Sequence, residues 1–351
     1  MSAVTVPANT APPQGLWQIA LRRLARNPAG VAAAGVVAAF LVLILATAFA
    51  GLAAQWDDQV AASFAPPGWL PADPADVAAP AQPSLAVPAA TEATAPIEMY
   101  GVVDPLAAQL ALAQQHGAQT AEAPRNAWLL LGADKWGRSV AQKTLKGAQT
   151  SVLVGLAAAL VATLIGTLLG ALAGYCGGWV DAVIDWLYGV FTAVPYLLLV
   201  FAIAAVLQQK GVVTIVLILG LTGWTGVYRL IRAEYLKHKV REYVQAARAI
   251  GASHARRMFV HILPNVSHVV LVQLSQQVVS FIKAEVILSF LGFGVPVDVV
   301  SWGSMLNETP NELILGKWWQ LAAAGLAMAL LVTAFAMLTD ALRDALDPRL
   351  K

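Results

Sequence analysis

Long uncharged runs alternate with short polar joints along this chain, at intervals that suit a lipid bilayer. No charged residue lies between Arg26 and Asp57, Lys146 and Asp181, Asp185 and Lys210, or Lys210 and Arg229. Two further runs separate Arg257 from Lys283 and Lys317 from Asp340. A hydrocarbon core about 30 Å thick is crossed by ~20 apolar residues in a helix. The pattern therefore predicts an all-α polytopic membrane protein with six transmembrane helices, over 29–54, 148–174, 186–207, 212–229, 265–290 and 318–339. Pro195 should kink the third, because its ring removes a helical hydrogen bond. Gln208-Gln209-Lys210-Gly211 reads as the turn into the fourth.

The charges orient these spans. Arg22, Arg23 and Arg26 precede the first, which places the N-terminal segment 1–28 in the cytoplasm by the positive-inside bias. Parity then puts segment 230–264 and the tail 340–351 on the same side, so both termini are cytoplasmic. Arg229 and segment 230–264 carry eight Lys/Arg, and the tail adds Arg343, Arg349 and Lys351. Fourteen of the chain's 22 basic residues thus fall inside, an agreement that one span more or fewer would break. Ala48-Phe49-Ala50 has the small residues of a signal-peptide cleavage site, but the preceding apolar run of about 26 residues exceeds the ~7–15 of a signal h-region.

Composition narrows the class. The chain is 58% hydrophobic and 12% charged, against about 45–50% and about 25% in soluble domains. That excludes an ordinary soluble enzyme, a disordered polymer and a nucleic-acid binder held by charge. A lone cysteine, Cys176, allows neither an internal disulfide nor a cysteine-based zinc site. Between the first two spans, segment 55–147 is extracytoplasmic. Residues 57–127 within it hold 21 alanines and 10 prolines in 71 positions, with acidic residues in excess. Such proline density blocks regular structure, and only 105–116 has the composition of a short helix. A tolerated loop is one reading of this insert; a docking surface for an outside partner is the other.

Segment 230–264 carries the main signal. At 100° per residue, Lys237, Arg241 and Arg248 cluster on one side of a helix, and Tyr243, Ala246, Ala247 and Ile250 on the other. Gly251 suits the helix stop, Ser253 can cap a second helix from His254 towards Ile262, and Pro264 should end that one. A short helix with small residues at its tip fits a groove on a cytoplasmic partner.

The run Glu242-Tyr243-Val244-Gln245-Ala246-Ala247-Arg248-Ala249-Ile250-Gly251-Ala252, followed by His261-Ile262-Leu263-Pro264-Asn265, resembles the "EAA…G…LP" loop of ABC importer permeases. Further stretches resemble the C-type subunit of the dipeptide/oligopeptide/nickel branch: Arg22–Asn27, Gly132–Arg138, Gly174–Asp181, Ser289–Val295, Ser301–Leu306 and Asp340–Arg349. Gln245 stands where the motif has Glu, His261 where it has Ile, and Ala133 and Ser139 replace Thr and Asp. The resemblance implies that Glu242, Tyr243, Gln245, Ala246, Ala247, Arg248, Gly251, Leu263 and Pro264 couple the permease to ATPase subunits. It implies a complex in the bacterial inner membrane containing a homologous second permease, two ABC ATPases and an extracytoplasmic substrate-binding protein. ATP and Mg would then be bound by the ATPases, with no cofactor and no ATPase site in this chain. Short peptides lead the substrate classes it implies, with nickel chelates, opines, glutathione or peptide-like antibiotics on the same scaffold. A membrane scaffold lacking a functional pore is the alternative class.

Gln273, Gln276, Gln277, Ser280 and Lys283 form a polar stripe on the fifth span, at i, i+3, i+4, i+7 and i+10. It reads as the lining of a polar translocation path or as hydrogen-bond glue between helices. Lys283 lies about 26 Å along the helix from Val266, near the outer interface, where a charge is affordable. Gly166, Gly170 and Gly174 on the second span allow close helix approach. Gly132–Ser139 nearly spells a P-loop but has Arg138 in place of its Lys and lacks the strand–loop–helix context. Four histidines (His238, His254, His261, His268) cluster near the loop without metal-ligand spacing. Segment 291–317 reads as an outside loop.

Overall fold

The computed structural model describes residues 22–70 and 128–346. The expected helix over 105–116 and the basic Arg349 and Lys351 lie outside the described residues. Two compact units emerge, one of residues 57–141 and one comprising the rest. Regular structure among the described residues is helical, apart from two isolated bridges, Gln59–Arg138 and Ala133–Ser139.

In the larger unit α1 spans Pro28–Phe49, opened by Asn27, whose Oδ1 accepts from Gly30 N at 3.1 Å, with proline in the first turn. α2, Val140–Cys176, has 37 residues and begins well before the expected 148. Lys146 had marked the polar side of that boundary. Lys143 before it is only 3% exposed, its Nζ held by Glu308 Oε2 at 2.6 Å and Gln320 Oε1 at 3.3 Å, so the helix runs through it.

The third span is a broken pair. α3 (Gly178–Thr192) and α4 (Tyr196–Leu207) meet at 83°, with Pro195 as the N-cap of α4 rather than a kink within one helix. Asp181 of α3 lies beside Arg232, and the Phe201 ring of α4 lies 6.0 Å from that of Phe293, just past the C-terminal end of the fifth span. The fourth span comprises α5 (Val212–Thr222) and α6 (Thr225–His238), a 27-residue run interrupted at Gly223-Trp224. The Gly223 carbonyl freed there accepts from Gln277 Nε2 at 2.7 Å. After α7 (Glu242–Ala249), α8 (Leu263–Phe290) forms the fifth span. α9 (Trp302–Ile314) occupies what sequence reads as a loop, opened by a Ser301/Ser304 capping box. α10 (Trp319–Leu346) is the sixth span. Four single helices, the interrupted α5–α6 run and the bent pair thus give up to six crossings. Leu153, Leu160 and Leu164 turn outward from α2, and Leu326 and Leu330 from α10. So much exposed leucine suits lipid rather than water.

The glycines of α2 form a packing seam. A Cβ on Gly166 would meet Trp224 O at 2.7 Å, on Gly170 Tyr228 O at 2.8 Å, and on Gly174 Arg232 O at 2.6 Å. α6 backbone therefore lies directly against α2, as small-residue spacing allows. Gly155 makes the equivalent approach to α8, where a Cβ would stand 3.1 Å from Ile282 N.

The smaller unit is built on a buried carboxylate. Asp134 Oδ1 accepts from Trp136 N at 2.8 Å and Arg138 N at 2.9 Å, closing the turn that resembled a P-loop. Gly137 has φ +73°, its carbonyl accepts from Val60 N and Ala61 N, and a Cβ there would collide with the Ala61 carbonyl. Arg138 pairs with Asp57 at 2.7 Å. Gly137→Ala should loosen this unit, seen as faster proteolysis between 57 and 141 with the helical bundle intact; unchanged protection would show that the turn tolerates the clash.

Candidate coupling site

The site is the turn from α6 through α7 into α8. α6 is anchored at one end of the bundle by Arg232, whose Nε and Nη2 donate to the two Asp181 oxygens at 2.6 and 2.8 Å. Such a bidentate fork fixes direction as well as charge. Tyr235 is buried and donates to Met258 O at 3.1 Å, tying α6 to the returning segment. The chain then turns at Lys239–Arg241, and α7 runs for eight residues.

Val244 and Ala247 are the buried residues of α7. Val244 packs into a cluster with Ala171, Val227, Ile231, Tyr235, Met258, Ile262 and Val266, which Leu263 flanks. This corrects the expected division of faces. Tyr243, Ala246 and Ile250 are exposed, Ile250 at 84%. Lys237 belongs to α6, because the joint after His238 breaks the helix that the wheel had assumed continuous. It pairs instead with Glu234 at 3.1 Å.

Glu242 sits in the first turn of α7 and Arg248 in the last, each suited to the helix dipole. Gln245 Nε2 reaches back to Lys239 O at 3.4 Å. Tyr243 Oη lies 2.8 Å from His238 Nδ1, and partial burial holds its phenol above the usual tyrosine range, so it stays neutral. Gly251 takes φ +81°, with its N–H donating to Arg248 O at 3.0 Å while Ala252 N donates to Ala247 O at 3.0 Å. The left-handed residue closes the helix as expected. Ser253 Oγ accepts from Arg256 N at 3.3 Å, the expected cap of the next helix.

Pro264 does not end that helix. Arg256–Ile262 is a π-helical turn that passes directly into α8, a continuous run of 35 residues to Phe290. Leu263 N bonds Met258 O, five residues back, so the wider turn absorbs the missing proline donor. Asn265 Nδ2 then donates to His261 O at 2.7 Å. The last stretch of the loop, from Arg256, is thus one helix with the fifth span.

The polar stripe divides. Gln276 and Ser280 line a cavity of about 310 Å³ with Thr339 and Asp340 of α10. Gln273 bonds Gln276 at 3.0 Å and lines a neighbouring cavity with His268 and Arg343. Gln277 faces α5–α6 through its bond to Gly223, and Lys283 is exposed. Glu285 is wholly buried, accepting from Ser289 Oγ at 2.7 Å. The structure thus separates Gln277 from Gln276 and Ser280, which the wheel had grouped. Among the described residues no His, Cys, Asp and Glu cluster could hold a metal.

Sequence reading missed the Asp181–Arg232 fork and the Lys143–Glu308–Gln320 network. Both involve charges at predicted span boundaries, and treating each charge as solvated concealed the pairing.

A helical chain with this many apolar spans is a multi-pass membrane protein by class. Residues 166–351 match the family of the binding-protein-dependent transport system inner membrane component, and the chain belongs to that family. The dipeptide transport system permease protein DppC of Bacillus subtilis is 39% identical over 220 residues, covering 63% of this chain and 68% of that protein. OppC, the oligopeptide counterpart from the same organism, is 36% identical over 220 residues, 63% of this chain and 72% of its own length. The di/tripeptide permease DppC of Pseudomonas aeruginosa is 37% identical over 222 residues, 63% of this chain and 73% of its own.

Proposed function

We propose that this chain is a permease subunit of an ATP-driven, binding-protein-dependent importer of di- and oligopeptides. Its partners in this reading are a homologous permease, two ATPase subunits that carry ATP and Mg, and an extracytoplasmic binding protein. The observation that carries it is the unbroken helix from Arg256 to Phe290. A push on α7 passes through the short turn at 250–253 into a helix that then runs unbroken to Phe290, while the exposed Tyr243, Ala246 and Ile250 supply the face for the ATPase. Both termini and α7 are cytoplasmic in this scheme, which the Asp181–Arg232 pair supports by holding the predicted inner ends of two spans together. The peptide class follows the named relatives. In the reconstituted complex, peptide-loaded binding protein should stimulate ATP hydrolysis and drive peptide uptake; unstimulated hydrolysis with no uptake would refute the importer reading.

Gln276 and Ser280 are the best-placed of the stripe to face a polar path, since they line the groove between α8 and α10. With Cys176 replaced by Ser, Gln276→Cys and Ser280→Cys should react with small aqueous thiol reagents in at least one nucleotide state. Protection in every state would assign both positions to helix packing.

A further inference from the structure

A second feature lies behind α7. A cavity of about 510 Å³ is lined by Tyr175 and Cys176 at the end of α2, Lys239 at the α6–α7 joint, Arg248 of α7, His254 and Arg257. None of its lining residues is acidic. Arg257 is only 9% exposed, yet its buried Nε has no hydrogen-bond partner. Its guanidinium lies over the Tyr175 ring, 5.8 Å from the centroid. Lys239 Nζ donates to Tyr175 O at 3.5 Å and sits in the field of Asp181, a carboxylate already engaged by Arg232 on both oxygens. A buried guanidinium donor without an acceptor is costly, and an anion in the cavity would remove that cost.

We propose that this cavity binds a phosphate group, with Arg257, Lys239 and Arg248 as its cationic ligands. The chemistry is shared by the headgroup of an anionic phospholipid and by free phosphate. Position favours the lipid, because the cavity opens where apolar α2 gives way to the charged joint. Trp179, three residues after Cys176 in the first turn of α3, is 78% exposed, as an aromatic side chain at headgroup level would be. A carboxylate of the ATPase is the less favoured occupant. Gln245 and Arg248 line the cavity on the side of α7 about 180° from exposed Tyr243, Ala246 and Ile250. The site rests on the cytoplasmic placement of α7 and deepens that reading by adding a lipid-facing role for two residues of the loop motif.

Cys176 is exposed, is the chain's single cysteine, and lines the cavity, so its alkylation reports occupancy. In the full complex in nanodiscs, maleimide addition to the Cys176 peptide is followed by mass spectrometry. Three conditions are compared: a phosphate-free glycolipid (digalactosyldiacylglycerol) alone, with phosphatidylglycerol added, and with inorganic phosphate added. At about ten times its Kd a ligand leaves roughly one site in eleven empty, so alkylation should slow about tenfold. Phosphatidylglycerol should produce that slowing in the wild type, Arg257→Gln and Lys239→Gln should abolish it, and Arg257→Lys should retain part. Slowing by inorganic phosphate to the same extent supports the site with a soluble source. Equal rates in all three conditions would overturn the proposal, as would protection that depends on added ATPase subunits regardless of lipid. If Arg257→Gln fails to assemble, Lys239→Gln carries the comparison alone. Impermeant maleimide that reaches Cys176 from outside intact cells would sink the cytoplasmic placement separately, whatever the lipid titration shows.

Discussion

Gly170→Leu should abolish recovery of the assembled permease. A Cβ at Gly170 already stands 2.8 Å from Tyr228 O, 3.0 Å from Arg232 N and 3.0 Å from Ile231 Cβ, so the added atoms meet backbone rather than a yielding side chain. Overpacking ordinarily costs about 1–3 kcal/mol when side chains can move, and here α6 itself must shift. Because Gly166 and Gly174 make the same approach, a displacement at the centre propagates along the whole α2–α6 seam. It would also pull Arg232 from Asp181 and tilt α7, which follows α6 within a few residues. Gly35→Leu in α1 is the control, since nothing lies within 4 Å of its Cβ position. Size-exclusion profiles of detergent-solubilised protein should show loss of the monodisperse peak for Gly170→Leu and its retention for Gly35→Leu. Equal profiles would mean that the seam is softer than its geometry states.

Why the spans were legible and their joints were not follows from the same physics. An uncharged run of ~20 residues must bury its backbone polar groups in a helix, so runs such as 212–229 declare themselves. A charge, by contrast, marks a boundary only if water solvates it. Lys143 is buried against Glu308 and Gln320, partners more than 150 residues away in sequence, and α2 therefore starts earlier than the charge pattern implies. Pro264 misled for a related reason: the cost of its missing donor depends on the register of the preceding turn, and a π turn changes that register. The coupling motif itself was readable because its glycine, caps and small residues are local features. Which face of α7 is buried was not, because Val244 is chosen by the Ala171–Val266 cluster it meets, which no helical wheel of 242–250 contains.

The glycine at position 251 separates local strain from contact with the motor. Its φ of +81° is one that L-residues adopt at a cost of roughly 1–2 kcal/mol, least for Asn. Nothing within the chain lies within 4 Å of its Cβ position, so a large side chain there meets no internal obstacle. Gly251→Asn should therefore keep near-normal transport, and Gly251→Ala should lose a modest share through strain alone. Gly251→Trp adds bulk exactly where α7 ends beside exposed Ile250, and should leave a folded permease that fails to retain the ATPase subunits or hydrolyses ATP without uptake. Comparing ATPase co-purification, stimulated hydrolysis and uptake across the three variants resolves the cause. Full transport with Gly251→Trp would remove this tip from the ATPase interface. Equal loss in the Asn and Trp variants would assign the requirement to the turn's hydrogen bonds, Gly251 N to Arg248 O and Ala252 N to Ala247 O, rather than to a partner's groove.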